Sequence, residues 1–151
     1  MPQTKCGFDD GLGVSGKDLL VTWGPTLRVN VGFDANYKAS GGAPPVHGIA
    51  DIQALVDTGA TECCIDSLLA AQLQLPIVDR RPISGVHGSH VASVHLAQVH
   101  VPSLKFTMYG AFAGVDLVAG GQLHQVLMGR TFLQAFTMIY EGRTGTVTIS
   151  S

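Results

Sequence analysis

Short runs in which every second residue is apolar recur along this chain, and they leave little room for a helical architecture. Leu27, Val29, Val31 and Phe33 alternate with Arg28, Asn30 and Gly32. Leu104, Phe106 and Met108 keep the same period, as do Phe136, Met138 and Tyr140, and then Val147 and Ile149. Successive side chains of a strand point to opposite faces, so this period marks half-buried strands. The 19 glycines and seven prolines fall between the runs, where turns are needed. One main helix is expected, from Ser67 to Leu75: Asp66 can cap it, Leu69 and Leu73 share a face, and Pro76 stops it. Thr131 to Ala135 suits a single further turn. The expected fold class is mostly β.

Val94 and Leu96 alternate in one phase, and Val99 and Val101 in the other, which predicts a bulge near Ala97-Gln98. Residues 1–24 carry glycine and polar residues with little periodicity. They read as a mobile arm with one strand at Leu19-Leu20-Val21, ahead of a single domain over 25–151. The arm contains Gly11-Leu12-Gly13-Val14-Ser15-Gly16-Lys17-Asp18, close to a phosphate-binding loop. Such a loop needs a strand before it and Ser or Thr after the lysine, and here Asp18 takes the hydroxyl's place. Nucleotide binding is therefore not expected.

In 151 residues with 46% apolar content there is material for one core. A net charge of −2, with no basic cluster beyond Arg80-Arg81, gives no footprint for nucleic acid. No run approaches the roughly 20 apolar residues of a membrane span. Met1 to Cys6 lacks the order of a signal peptide. Three cysteines, two of them adjacent (Cys63-Cys64), make no disulfide framework, and a reduced, cytoplasmic setting is expected. The six histidines include His87-x2-His90, and His95 and His100 on one strand. No second ligand set stands at a zinc spacing, so neither metal nor cofactor is expected.

The candidate chemistry lies in Ala54-Leu55-Val56-Asp57-Thr58-Gly59-Ala60. An aspartate delivered by a buried strand must be paired, hydrogen-bonded or functional. Gly59 permits a tight turn, and Thr58 adds a hydroxyl. A bare Asp-Thr-Gly also fits an ordinary Asx turn, so its weight depends on the segments C-terminal to it. After it come the capped helix, the glycine-bearing hairpin tip Gly85-Val86-His87-Gly88, the apolar segment Val126-Leu127-Met128-Gly129-Arg130, and two short closing strands.

In that order the parts resemble a retropepsin-like aspartic protease, over residues 25–151. Val78-Asp79-Arg80-Arg81 and Val94-His95-Leu96-Ala97-Gln98-Val99 look most like the protease domain of the DNA-damage-inducible ubiquitin-shuttle proteins. The resemblance implies a closed β-barrel lobe with a flap hairpin, and hydrolysis of peptide bonds in a polypeptide substrate. It implies that Asp57 is catalytic with Thr58 and Gly59, and that Ala60, Thr61, Glu62, Gly85, Val86, His87 and Gly88 touch substrate. Val126, Leu127, Gly129 and Arg130 would support the turn, Arg130 through an ion pair. No other aspartate precedes Thr-Gly or Ser-Gly, so one chain holds half a site and a homodimer is implied. In the family the termini interleave across the dimer, and Val147 and Ile149, with no partner left in sequence, suggest a C-terminal strand that does so. The alternative is a non-catalytic dimeric binding module on the same fold.

Overall fold

The structure, a computed structural model, describes residues 2–85 and 88–151. Thirteen strands and α-helices follow one another among them: β1 (Gln3–Lys5), α1 (Gly16–Trp23), β2 (Thr26–Gly32), β3 (Ile49–Val56), β4 (Cys64–Asp66), α2 (Ser67–Gln72), β5 (Ile77–Gly85), β6 (Gly88–Val101), β7 (Phe106–Val115), β8 (Val126–Met128), α3 (Arg130–Leu133), β9 (Thr137–Glu141) and β10 (Thr146–Ser150). The alternating runs become strands because one face of each can be buried. Leu27, Val29 and Val31 of β2 are almost wholly enclosed, with Arg28 between them exposed.

Seven strands form the main sheet in the order β2-β3-β8-β4-β7-β6-β5, and β2 also pairs with β6. That extra pairing closes the sheet into a barrel and leaves β5 projecting with the end of β6 as a hairpin. β8 lies between β3 and β4, two strands that follow each other in sequence; it runs parallel to β3 and antiparallel to β4. The core fills the barrel with Val29, Val31, Ile65, Val99, Phe112, Met128 and Phe132. Phe106 meets both Phe132 and Phe136 edge-on at one side of it.

Residues 2–24 hold a helix where a strand is expected. Leu19-Leu20-Val21 lie in α1, not in a strand. The Ser15 hydroxyl caps its start by accepting from the Asp18 amide, and Gly24 ends it at φ 73°, in the left-handed region that suits glycine. Only Leu20 of the three apolar residues is buried; Val21 is 80% exposed. β1 pairs with β10, and the Cys6 amide donates to the Val147 carbonyl at 2.9 Å, so the N-terminal strand is packed on the body. The phosphate-loop look-alike is tied by its own acid: Asp10 Oδ1 accepts the Gly16 amide at 2.7 Å, where an anion would need that donor.

The bulge expected near Ala97-Gln98 is absent, and β6 runs against β7 in continuous register. The phase change has another cause. β6 pairs with β5 up to His95 and with β2 from Gln98 to His100, so its second neighbour changes between them. Gln98 stays buried because its side chain accepts from the Asp34 amide and donates to the Asp34 carbonyl. β10 has partners on both sides within its own chain, and Val147 and Ile149 face the core. No helix among the described residues is long and apolar enough to cross a membrane.

Candidate active site

β3 ends at Val56 and hands Asp57 to the turn beside the end of β8. The Asp57 amide donates to the Met128 carbonyl at 2.9 Å, continuing the ladder one residue past the strand. The Gly59 amide donates to Asp57 Oδ1 at 2.9 Å, and the Ala60 amide to the Asp57 carbonyl at 3.2 Å. These bonds fix the carboxylate's direction while leaving Oδ2 free of a described partner. Asp57 is half-buried, and Thr58 and Gly59 are exposed.

The segment after β8 clamps the same turn. The Arg130 amide donates to the Ala60 carbonyl at 2.9 Å, and the Thr131 amide to the Thr61 carbonyl at 3.1 Å. Arg130 Nη1 donates to the Thr58 carbonyl at 2.7 Å, and Nη2 to the Thr61 hydroxyl at 3.0 Å. The expected ion pair of Arg130 is thus replaced by bonds to neutral oxygens, because Thr61 stands where an acid could have answered the guanidinium. Gly129 is required here: a Cβ would lie 2.5 Å from the Glu62 carbonyl oxygen and 2.8 Å from that of Ala60. The Gly129 amide donates to Cys63 Sγ at 3.3 Å, so Cys63 is a buried part of the clamp.

Asp57, Gly59, Ala60, Thr61 and Glu62 line an open cleft of about 800 Å³, opposite Arg81, Pro82, Ile83 and Ser84 of β5. Leu127 and Ala113 form part of its apolar wall. Glu62 and Arg81 pair across it at 3.3 Å. A separate hollow of about 480 Å³, lined by Tyr37, Pro44, His100 and Phe106 among others, contains no carboxylate. Gly85 and Gly88 face each other at the end of the β5–β6 hairpin, and Gly88 has φ 97°. Val86 and His87 lie outside the described residues. Val126 is buried in the sheet rather than in the cleft.

Cys64 also lines the cleft, which makes it the cysteine to weigh as a rival nucleophile. Burial, and then the nearby Cys63, Glu62 and Asp57, push its thiol up to about 11. A thiol that stays protonated at neutral pH is a poor nucleophile. Among the described residues no three His, Cys, Asp or Glu side chains are grouped to hold a metal ion.

Residues 46–135 match the sequence profile of the family described as "gag-polyprotein putative aspartyl protease". The chain belongs to that family. The match spans β3, the Asp57 turn, the hairpin, β8 and α3, the elements that build the cleft. No curated protein sequence matches this chain. Among solved structures it is similar to the simian foamy virus (mac) protease, at 13% identity and a TM-score of 0.46, over 72% of this chain and 91% of that one. It is also similar to the EIAV protease complexed with the inhibitor HBY-793, at 17% identity and a TM-score of 0.47, over 74% of this chain and 86% of that one.

Sequence reasoning misses Arg81, Ile83, Cys64 and Ala113 in the cleft. Arg81 and Ile83 are two apart on β5, so the strand period could place both on one face, but Pro82 between them obscures the strand. Cys64 reads as core together with Cys63, although neighbours in a strand face opposite ways.

Proposed function

We infer that this chain is an aspartic endopeptidase, active as a homodimer in which two copies of Asp57 hold one water. The observation that supports this most is that Asp57 brings to the cleft a carboxylate with no cation paired to it among the described residues, Oδ1 held by the Gly59 amide and Oδ2 left open. The other acid of the cleft, Glu62, is turned to Arg81. Peptide hydrolysis of this kind needs two carboxyl groups: one ionised, to take a proton from water, and one protonated, to donate to the scissile carbonyl oxygen. Two close carboxylates cannot both ionise cheaply and so share one proton, an effect best known from aspartic proteases. The water oxygen bonds to the carbonyl carbon, the C–N bond then breaks, and the amine leaves with a proton from the dyad.

In this reading Thr58 bonds across the two-fold axis. The Gly85-Val86-His87-Gly88 tip folds over the peptide, and Thr61, Glu62 and Ala60 contact its backbone and side chains. A dimeric binding module without turnover is the competing reading, and the intact Asp57-Thr58-Gly59 turn favours the enzyme.

The test is a mixing experiment with Asp57→Asn, which keeps shape but cannot share the proton. The pure variant should bind peptide and not cleave it. Mixed equally with wild type and allowed to exchange, it should lower activity per wild-type chain to about half, because random pairing places half of those chains in dead dimers. Unchanged activity per wild-type chain after proven exchange would reject the shared site. Cleavage by pure Asp57→Asn would reject the assignment altogether.

A further inference from the structure

The hollow of about 480 Å³ that lies apart from the cleft shares no lining residue with it. One wall comes from residues 37–44, the other from the end of β6 and the start of β7. The fold sets its shape without a ligand. Asp34 Oδ1 accepts the Asn36 amide and Oδ2 the Val46 amide, both at 2.9 Å, so one carboxylate ties the two ends of the first wall together. Ala39, Gly42 and Ala43 leave the room, since longer side chains there would fill it. The volume is that of an ordinary small-molecule site, about 300–1,000 Å³.

The polar groups of this hollow have hydrogens to give. Among the described residues Lys105 has no acidic partner. It stands at φ 50° and ψ 43°, in the left-handed region that glycine or asparagine enters with less strain, so the turn alone does not account for a lysine. His100 Nδ1 and the Thr107 hydroxyl lie 2.9 Å apart. Burial, and then His47, hold His100 below the usual imidazole range, so at neutral pH its ring carries one hydrogen. Thr107 carries another. One of the two lies between the pair. The other, on Nε2 or on the hydroxyl, has no partner among the described residues. Tyr37 adds a phenol, Phe106 and Pro44 add apolar surface, and no carboxylate lines the hollow.

We propose that this hollow is a second binding site, apart from the peptide cleft, for a small organic monocarboxylate. The ligand's apolar body lies on Phe106 and Pro44, and its carboxylate meets Lys105 and the spare hydrogen of the His100–Thr107 pair. One cation matches one negative charge, whereas a phosphate dianion would be left half neutralised. An amine or a metal cation would meet Lys105 with no acid to answer it. The inference does not depend on the peptidase reading.

The test titrates the isotope-labelled full chain with phenylbutyrate and, separately, with phenylbutyramide, which has the same body and no charge. Phenylbutyrate should shift the amide signals of residues 37–44 and 100–107 saturably, and the uncharged amide should bind about tenfold more weakly. Lys105→Asn removes the charge with a residue that accepts left-handed backbone. It should melt no lower than wild type and bind phenylbutyrate about tenfold more weakly, with its affinity for phenylbutyramide unchanged. If Lys105→Asn does not fold, Lys105→Gly, unstrained at that φ, gives the same comparison. The inference is overturned by the absence of saturable shifts, by shifts confined to the residues around Asp57, by equal affinity for the two probes, or by full affinity for phenylbutyrate in the variant.

Discussion

His124 is fully enclosed, and its neighbours decide which ring nitrogen carries the proton. The Thr26 hydroxyl donates to the Gly24 carbonyl at 3.0 Å, so it has only lone pairs to offer His124 Nε2 at 2.8 Å. Nε2 therefore bears the hydrogen, and Nδ1 is left as a buried acceptor with no described partner. Burial lowers the pKa of His124, and burial together with His47 lowers that of His100. A base whose folded pKa lies below its unfolded value stabilises the fold above the unfolded pKa, and that stability is lost as pH falls below about 6.5 toward the folded value. Melting temperature should therefore drop between pH 7 and pH 5. In His124→Gln, which does not titrate, the drop should be smaller, and an equal drop would show that His124 does not carry it. At Gly129 the constraint is steric. Gly129→Ala forces a methyl against two carbonyl oxygens and should cost about 1–3 kcal/mol in denaturant unfolding, with loss of any cleavage activity. An alanine variant of wild-type stability would mean that the clamp can open without cost.

The elements are legible in the sequence where one local rule governs them. β2, β9 and β10 follow from their period, and α2 from the Asp66 cap, whose carboxylate accepts the Leu69 amide at 3.3 Å. At α1 the sequence misleads, because three apolar residues in a row outweigh the Ser15 cap and the Gly24 stop, signals that are present and correct. The change of neighbour in β6 cannot be read at all, since it depends on where β2 and β5 end in space. The site divides in the same way. The Asp57 turn is visible as a motif, whereas the bonds of Arg130 to Thr58 and Thr61 require the fold. The β5–β6 hairpin carries a prediction of its own. Gly88 sits at φ 97°, where a β-branched residue is strained by about 1–2 kcal/mol. No atom lies within 4 Å of the Cβ it would gain, so that strain stays local. Gly88→Val should lower kcat/KM while melting within a few degrees of wild type. Unaltered kinetics would place the closing segment elsewhere.

For the whole molecule, residues 2–24 belong to the body. They supply Cys6 and Leu20 to the core and cover one side of β10. A chain beginning at Pro25 should lose that cover and unfold at a markedly lower denaturant midpoint; a midpoint equal to the full chain's would return these residues to the status of an arm. The placing of β8 between β3 and β4 bears on time as well as shape. The ribosome finishes the aspartate turn long before it makes Val126–Met128, the strand that receives the Asp57 amide and leads into the Arg130 clamp. Until then β3 and β4 have an unfilled slot between them, and the contacts that close it span much of the chain, the kind that form slowly. A nascent chain thus carries its aspartate without the means to aim it until synthesis has passed the far end of the barrel.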